Sequence, residues 1–140
     1  MAQALKSQTL ATVPMSNEER SLRVDLAAAY RLVDYFGWCE LIYGHLTAHV
    51  PGPEPHFLIN PYGLNYDEVT ASNLVKIDID GKVVEPTPHA VNEAGFIIHS
   101  AIHMLSDETN CVVMHTHSRA GMAIAALKEG LLPISMGATA

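Results

Sequence analysis

The 140-residue chain has little positive charge: eight Lys and Arg residues stand against fifteen Asp and Glu residues, and the formal net charge is −7. The basic residues form no cluster, so the charged surface by which proteins hold nucleic acid is missing. An anionic membrane surface would repel such a chain. Long apolar runs are also missing, because no segment approaches the run of about 20 apolar residues that a membrane-spanning helix needs. We therefore expect neither nucleic acid nor a membrane as a partner.

Cysteine is almost absent as well. Cys39 and Cys111 form no C-x-x-C pair, which argues against a disulfide framework and suits a reducing compartment. The first residues contain Lys6 but no continuous apolar core before Pro14, so they do not resemble a signal peptide. We predict a cytoplasmic protein in which residues 1–15 form a flexible N-terminal arm and residues 16–140 form one domain.

Enough apolar material is present for a single core, since 49% of the residues are hydrophobic and only 16% are charged. Ser16 and Glu19 match a capping box, and apolar residues then recur at helical spacing. The predicted elements are a helix that starts at Ser16 and stops at Gly37, strands over residues 45–50 and 56–60, a hairpin of 74–79 with 82–85 around Asp80-Gly81, a helix over 94–105, a strand that ends at His115, and a helix over 118–127 with Gly130 as its C-cap.

This order of elements predicts a mixed sheet covered by helices, in an α/β or α+β layered domain. Three methionines, Met104, Met114 and Met122, are interpreted as core residues. Residues 130–134 begin a further apolar segment, yet the chain ends without completing another element. We therefore expect an incomplete domain.

The predicted strand over residues 111–115 leads into two histidines, His115 and His117. Positions two apart on a strand share a face, about 6.5–7 Å apart along the backbone, so the two rings can lean together onto one divalent cation. The junction between a strand's carboxyl end and a helix is also a usual place for ligand sites in α/β sheets. The alternative is that two polar residues simply end a strand in solvent.

A second pair of histidines, His99 and His103, lies four residues apart on a predicted helix and shares a face. That spacing can chelate zinc, but the glutamate that usually follows the first histidine of such a motif is missing. A packed, hydrogen-bonded pair is therefore favoured over a second metal site.

Several segments, taken in order and spacing, resemble the class II aldolase/adducin family. They are GHLT at residues 44–47, FLINPYG at 57–63, DEVT at 67–70, NEAGF at 92–96 leading to HSAIH at 99–103, HTHSRAG at 115–121 and GLLPIS at 130–135. The adducin-like and uncharacterised-aldolase branch is the most similar. The resemblance implies a three-layer α/β/α sandwich around a mostly antiparallel mixed sheet. It also implies a four-fold symmetric homotetramer with sites between subunits.

The resemblance further implies a zinc or similar divalent ion held by three histidines. His115 and His117 match the first two ligands, and the third belongs to a later His-Gly segment that this chain does not contain. In this family the cation binds carbonyl and hydroxyl oxygens and stabilises an enediolate as a Lewis acid. The chain therefore carries two of the three expected ligands.

The chain departs from the sugar-phosphate enzymes of the family at two positions. Their catalytic acid lies four residues before the histidine that His99 matches, where this chain has Gly95, which cannot transfer a proton. Glu93 lies where those enzymes use a serine to hold phosphate, and a carboxylate there would repel a phosphate. Glu93 is the candidate acid or base, although a glutamate in the first helical turn is also favoured by the helix dipole alone.

Two hypotheses follow from these residues. The first is a metal-dependent aldolase-like lyase or isomerase that acts on a small carbonyl or hydroxy compound, not a sugar phosphate. Its substrate end would be shaped by five residues: Gly44, His45, Asn60, Tyr62 and Gly63. The second is a non-catalytic adducin-like module for assembly or partner binding. A carboxylate near the metal pair would favour the enzyme, whereas a pocket filled by Tyr62 or Phe96 would favour the module.

Overall fold

The computed structural model describes residues 14–105 and 111–139. Its elements are helices α1 (Asn17–Tyr35), α2 (Glu93–Leu105) and α3 (Arg119–Ala125), strands β1 (His45–His49), β2 (Phe57–Ile59), β3 (Val75–Ile77) and β4 (Val112–His115), and two 3₁₀ turns at Tyr66–Glu68 and Met136–Ala138. The predicted N-terminal arm falls on residues 1–15, of which 1–13 lie outside the described residues. None of the described helices is long and apolar enough to cross a membrane.

The first helix begins and ends where the sequence predicts. The hydroxyl of Ser16 accepts a hydrogen bond from the backbone N–H of Glu19 at 3.1 Å, which satisfies one of the free donors of the first turn. The helix stops before Gly37, whose φ of 67° lies in the left-handed region that favours glycine. Between these ends, Leu26, Tyr30 and Val33 form a buried stripe at helical spacing.

The four strands form one sheet in the order β3-β2-β1-β4, and each of the three pairings is antiparallel. Because side chains alternate along a strand, the sheet has two distinct faces. The α1 helix covers one face, in a cluster that includes Leu26, Tyr30, Leu46, Ala48 and Leu58. The α2 helix covers the other through Phe96, which packs with Phe57, Ile59, Val75 and Ile77. The three-layer α/β/α arrangement is therefore present in the described part of the chain.

Two local predictions are wrong. Residues 82–85 return beside β3, where the N–H of Asp78 donates to Lys82 and that of Val84 to Lys76, but they form an isolated bridge between Ile77 and Val83 and not the predicted strand. The α3 helix ends at Ala125 with Ala126 as its C-cap. Gly130 instead lies beyond the helix, where its N–H donates to the carbonyl of Leu127 at 3.2 Å.

Apolar side chains are exposed along β4, α3 and the residues that follow. Met104, Met114 and Met122, which were expected in the core, are 58%, 54% and 41% exposed, so that prediction is wrong. Val112 and Met114 lie on the α1 face of β4, beyond the part of the sheet that α1 covers, and each is 54% exposed. The described part of the domain thus presents an apolar face at the edge that carries His115.

Candidate metal site

The two histidines of the HTH segment converge. His115 is the last residue of β4, and the backbone N–H of His117 donates to the carbonyl of Trp38 at 2.8 Å. Ser118 then caps α3 by accepting from the N–H of Gly121. In this arrangement the Nε2 atoms of His115 and His117 lie 3.2 Å apart. The pair therefore stands at the junction between a strand end and a helix start.

This separation fits shared coordination of one ion. Zn–N bonds of about 2.0–2.1 Å at a tetrahedral angle place two ligating nitrogens about 3.3 Å apart. Burial, helped by the neighbouring His117, lowers the pKa of His115, which favours the neutral ring that metals bind. Within residues 14–105 and 111–139, no group of three or more His, Cys, Asp or Glu side chains is placed to hold a metal. The ligand role of the pair, and zinc as its ion, stay predictions.

A carboxylate that the sequence analysis missed lies beside the pair. Nδ1 of His117 is 2.7 Å from Oε2 of Glu40, and the ring of Tyr43 stacks on the same imidazole at a centroid distance of 6.4 Å. Glu40 lies in an irregular loop and belongs to no periodic pattern, so the sequence offered no signal for its position. The loop from Trp38 to Tyr43 brings it to His117.

His45 forms the inner wall behind the pair. It is the direct antiparallel partner of His115, and their ring centroids lie 5.1 Å apart. The residue is 4% exposed, and within residues 14–105 and 111–139 neither of its ring nitrogens has a hydrogen-bond partner. Burial, together with His115, lowers the pKa of His45 to about 4, so the ring is neutral at physiological pH. Buried polar atoms without a partner are costly, so the position of His45 calls for an explanation beyond packing.

The α2 helix packs on His45 through Gly95. A Cβ on Gly95 would lie 2.9 Å from three atoms of the His45 ring, a distance that real contacts do not show. A glutamate therefore cannot stand at position 95 unless His45 moves. The space beside Gly95 is filled by the imidazole of His45.

The second histidine pair is packed and hydrogen-bonded. The hydroxyl of Thr47 lies 2.7 Å from Nδ1 of His99 and 2.8 Å from Nε2 of His103. Burial and the adjacent His45 lower the pKa of His99 to about 3. These contacts agree with the favoured interpretation of the pair, and Thr47 is the partner that spacing alone could not identify.

Of the five residues expected at the substrate end, two lie beside His115 and three follow β2. Gly44 has a φ of 85°, and a Cβ there would come within 2.5 Å of the Tyr66 hydroxyl and 2.8 Å of the His115 carbonyl. The absence of a side chain at Gly44 therefore lets Tyr66 donate to that carbonyl at 3.4 Å. Gly44 and His45 both adjoin His115.

Asn60, Tyr62 and Gly63 continue from β2. Asn60 is buried, and its Oδ1 accepts from the hydroxyl of Tyr30 at 2.9 Å, which ties it to the core. Tyr62 is 52% exposed, and its backbone N–H donates to the carbonyl of Ala90 at 2.8 Å. Gly63 has a φ of 94°. Their substrate role stays a prediction.

Glu93 is the first residue of α2 and is exposed. It lines a cavity of about 420 Å³ together with Asp80, Gly81, Val91, Phe96 and Ile97. The residues that line this cavity do not include His45, His115 or His117. The structure therefore places Glu93 on the turn of α2 that meets His45 through Gly95, with its carboxylate in a separate hollow.

Comparison with known proteins decides the family. A family model described as the class II aldolase and adducin N-terminal domain matches residues 24–140. The chain belongs to this family. A Caulobacter vibrioides protein, named provisionally as an aldolase class 2 protein, is 53% identical over 121 residues, which are 86% of this chain and 47% of that protein. Alpha-adducin of Rattus norvegicus is 52% identical over 119 residues, which are 84% of this chain and 16% of adducin.

Solved structures confirm the fold class. An aldolase II superfamily protein from Pseudomonas syringae matches with a TM-score of 0.82 and 54% identity, over 88% of this chain and 50% of that one. L-fuculose 1-phosphate aldolase from Glaciozyma antarctica matches with a TM-score of 0.77 and 33% identity, over 89% of this chain and 51% of that one. The chain thus has the class II aldolase fold as a partial domain, and it spans about half the length of the bacterial relative and of both structures.

Proposed function

We propose that this chain is the metal-binding part of a class II aldolase-type lyase or isomerase that acts on a small, unphosphorylated carbonyl or hydroxy compound. The observation that carries the proposal is the 3.2 Å approach of the Nε2 atoms of His115 and His117 at the end of β4. A divalent ion, with zinc as the first expectation, would be held there by both rings and would supply Lewis-acid stabilisation of an enediolate-type charge.

The other residues of the chain would bind and orient the substrate. His45 lies buried beside His115, with no hydrogen-bond partner for either ring nitrogen among the described residues, and would form the inner wall of the substrate end. Gly44 keeps the adjoining backbone free of a side chain. Asn60, Tyr62 and Gly63 would border the same end, and Glu93 remains the candidate that moves a proton.

The preference for an unphosphorylated substrate rests on position 93 and position 95. Glu93 brings a negative charge to the helix start where the sugar-phosphate enzymes are expected to hold phosphate, and like charges at short range repel strongly in a partly desolvated site. His45 occupies the space next to Gly95. One of the similar structures is named an L-fuculose 1-phosphate aldolase, so substrate preference is the property in which this chain would differ from it.

The second candidate is a non-catalytic, adducin-like module for assembly or partner binding. The 52% identity to rat alpha-adducin favours it. So does Phe96, which fills the α2 face of the core. Glu40 favours the enzyme, because it places a carboxylate 2.7 Å from one of the two converging histidines.

Exchange of a carbon-bound proton separates the two candidates. The chain, and a form extended to the length of its relatives, would be incubated in D₂O with zinc and with dihydroxyacetone or glycolaldehyde. The proposed enzyme should label the carbon next to the carbonyl, and His117→Asn should abolish the labelling. His56→Asn, a change just before β2, is the matched control and should leave the labelling unchanged. Zinc-loaded protein that neither labels nor cleaves any such compound would support the adducin-like module.

We further propose that the protein works in the cytoplasm as a homo-oligomer, a tetramer by family resemblance. The exposed apolar residues of β4 and α3 support assembly, because large exposed apolar areas usually mark interaction surfaces. Neither nucleic acid nor a membrane is proposed as a partner, in line with the net charge of −7.

A further inference from the structure

We propose that Glu40 is a positioning residue of the candidate metal site: it holds His117 in the tautomer whose Nε2 lone pair faces Nε2 of His115. The inference rests on the proposed function, because it assigns a supporting residue to the same pair of histidines. Nothing in the sequence patterns points to Glu40.

One loop fixes His117 at three points. The carbonyl of Trp38 accepts from its backbone N–H at 2.8 Å, Oε2 of Glu40 lies 2.7 Å from its Nδ1, and the ring of Tyr43 stacks on it with an interplanar angle of 12°. Within this loop Leu41 has a φ of 50°, a conformation that residues other than glycine rarely adopt. Such a conformation persists only where its surroundings hold it, and it is often found at functional sites.

The hydrogen-bond pattern sets the position of the proton on His117. A carboxylate only accepts, so Nδ1 of His117 carries the proton and donates it to Glu40. In the neutral ring, Nε2 then carries the lone pair. That lone pair faces Nε2 of His115, which lies 3.2 Å away. Glu40 therefore selects the only neutral form of His117 that can ligate through Nε2.

Glu40 contacts Nδ1 of His117, whereas the nitrogen proposed to bind the metal is Nε2. Nδ1 and Nε2 are distinct positions of the imidazole, and the carboxylate binds the one that faces away from His115. The side chain of Glu40 is 50% exposed, so an ion pair there would contribute little to folding stability. Carboxylates that accept from a ligating histidine orient the ring and raise its basicity. Positioning explains the contact better than stabilisation does.

Three variants test the assignment. Glu40→Ala removes the acceptor, whereas Glu40→Gln keeps an oxygen that can accept the same hydrogen bond without the charge. Glu54→Gln removes one charge from the exposed turn beyond the opposite end of β1 and serves as the matched control. Nitrogen-15 NMR of the imidazoles in metal-free protein, at about pH 8, reports the tautomer of His117 directly. Competition with a chelator measures the affinity for Zn²⁺.

We expect Glu40→Ala to move the proton of His117 to Nε2 and to weaken zinc binding about 10–100-fold. Glu40→Gln should keep the Nδ1–H tautomer and lose less affinity, and Glu54→Gln should match the unmutated protein. A Glu40→Ala protein that keeps the Nδ1–H tautomer and binds zinc as tightly as the unmutated protein would overturn the assignment. If a form extended to the length of the relatives binds no zinc while the tautomer of His117 still follows Glu40, the metal-dependent function fails and the positioning of His117 stands.

Discussion

Gly95 of α2 lies so close to the ring of His45 that an added Cβ would come within 2.9 Å of Cε1, Nδ1 and Nε2. Glycine inside a helix usually costs about 1 kcal/mol relative to alanine, so a glycine here needs a packing reason. The reason is His45, whose ring needs the space. The contact couples the helix that begins at Glu93 to the strand that pairs with His115.

Replacing Gly95 by alanine should therefore destabilise the protein although alanine is the better helix former. We expect Gly95→Ala to lower the free energy of unfolding by about 1–3 kcal/mol, the usual cost of overpacking, as measured by urea denaturation. Gly137→Ala is the control, because a Cβ there would meet no atom of the described residues within 4 Å.

The same substitution in a His45→Ala background isolates the cause. Without the imidazole, Gly95→Ala should be neutral or stabilising, since only the helix preference remains. An equal loss in both backgrounds would show that the contact between Gly95 and the ring is not responsible.

A buried ion-pair network beneath α1 predicts a second measurable effect. Glu19 is 3% exposed and accepts from Nη2 of Arg23 at 2.8 Å and from Nζ of Lys76 at 2.7 Å. Burial alone would raise the pKa of Glu19, but the hydrogen bonds and charges of Lys76 and Arg23 outweigh it and lower the pKa below its ordinary value of 4.5. Because the pKa of Glu19 is lower in the folded state, its contribution to stability is fully present above the unfolded-state value of about 4.5. That contribution is lost as the pH falls from there through the lower folded-state pKa.

Glu19→Gln should cost about 3 kcal/mol at neutral pH, because Arg23 stays buried with only Glu85 and the Leu74 carbonyl as partners. Urea unfolding at a series of pH values should also show a weaker loss of stability below pH 4.5 than in the unmutated protein. Asp25→Asn, an exposed change on the same helix, should leave both the stability and its pH dependence nearly unchanged. If the Glu19→Gln variant loses stability below pH 4.5 as steeply as the unmutated protein does, Glu19 is not the cause of that loss.

Local chemistry explains which features could be predicted from the sequence. Ser16 and Gly37 mark the ends of α1 because capping depends on neighbouring residues alone. The period of two in a strand predicted the approach of His115 and His117. In the structure β4 ends at His115, and the backbone of His117 is held by the carbonyl of Trp38 instead. Glu40 could not be predicted, because its position depends on an irregular loop that lies far from His117 in the sequence.

The predictions that were wrong concern segments whose structure depends on neighbouring parts of the domain. Residues 82–85 carry the pattern of a return strand, yet the chain leaves the sheet after the bridge at Val83. Met114 and Met122 are apolar as core residues should be, but the described part of the domain leaves them uncovered. Pattern shows which face of an element is apolar, not whether a neighbour covers it.

Substrate charge gives a third prediction. If Glu93 borders the end of the site where phosphate would lie, sugar phosphates should bind more weakly than their unphosphorylated counterparts. Glu93→Ser should narrow the difference, because it removes the repulsion between two negative charges. Calorimetric titration of a matched pair of ligands measures both affinities. Tighter binding of the phosphorylated ligand to the unmutated protein would contradict the role given to Glu93.

Zinc affinity gives the last prediction, and it follows from the number of ligands. His115 and His117 supply two converging nitrogens, and the described residues contain no group of three metal-binding side chains. Structural and catalytic zinc sites normally use at least three protein ligands. A chain extended to include the third histidine of the family should therefore bind zinc much more tightly than the 140-residue chain.

Titration of both forms with a competing chelator decides the question. Loss of even a supporting contact costs about 10–100-fold in metal affinity, so a missing ligand should produce a difference at least that large. His115→Asn should weaken binding in both forms, whereas His56→Asn should change neither. Equal affinities of the two unmutated forms would mean that the third ligand is already within this chain. His45 would then be the first residue to replace, because its ring adjoins His115 and its buried nitrogens have no hydrogen-bond partner in the described part of the chain.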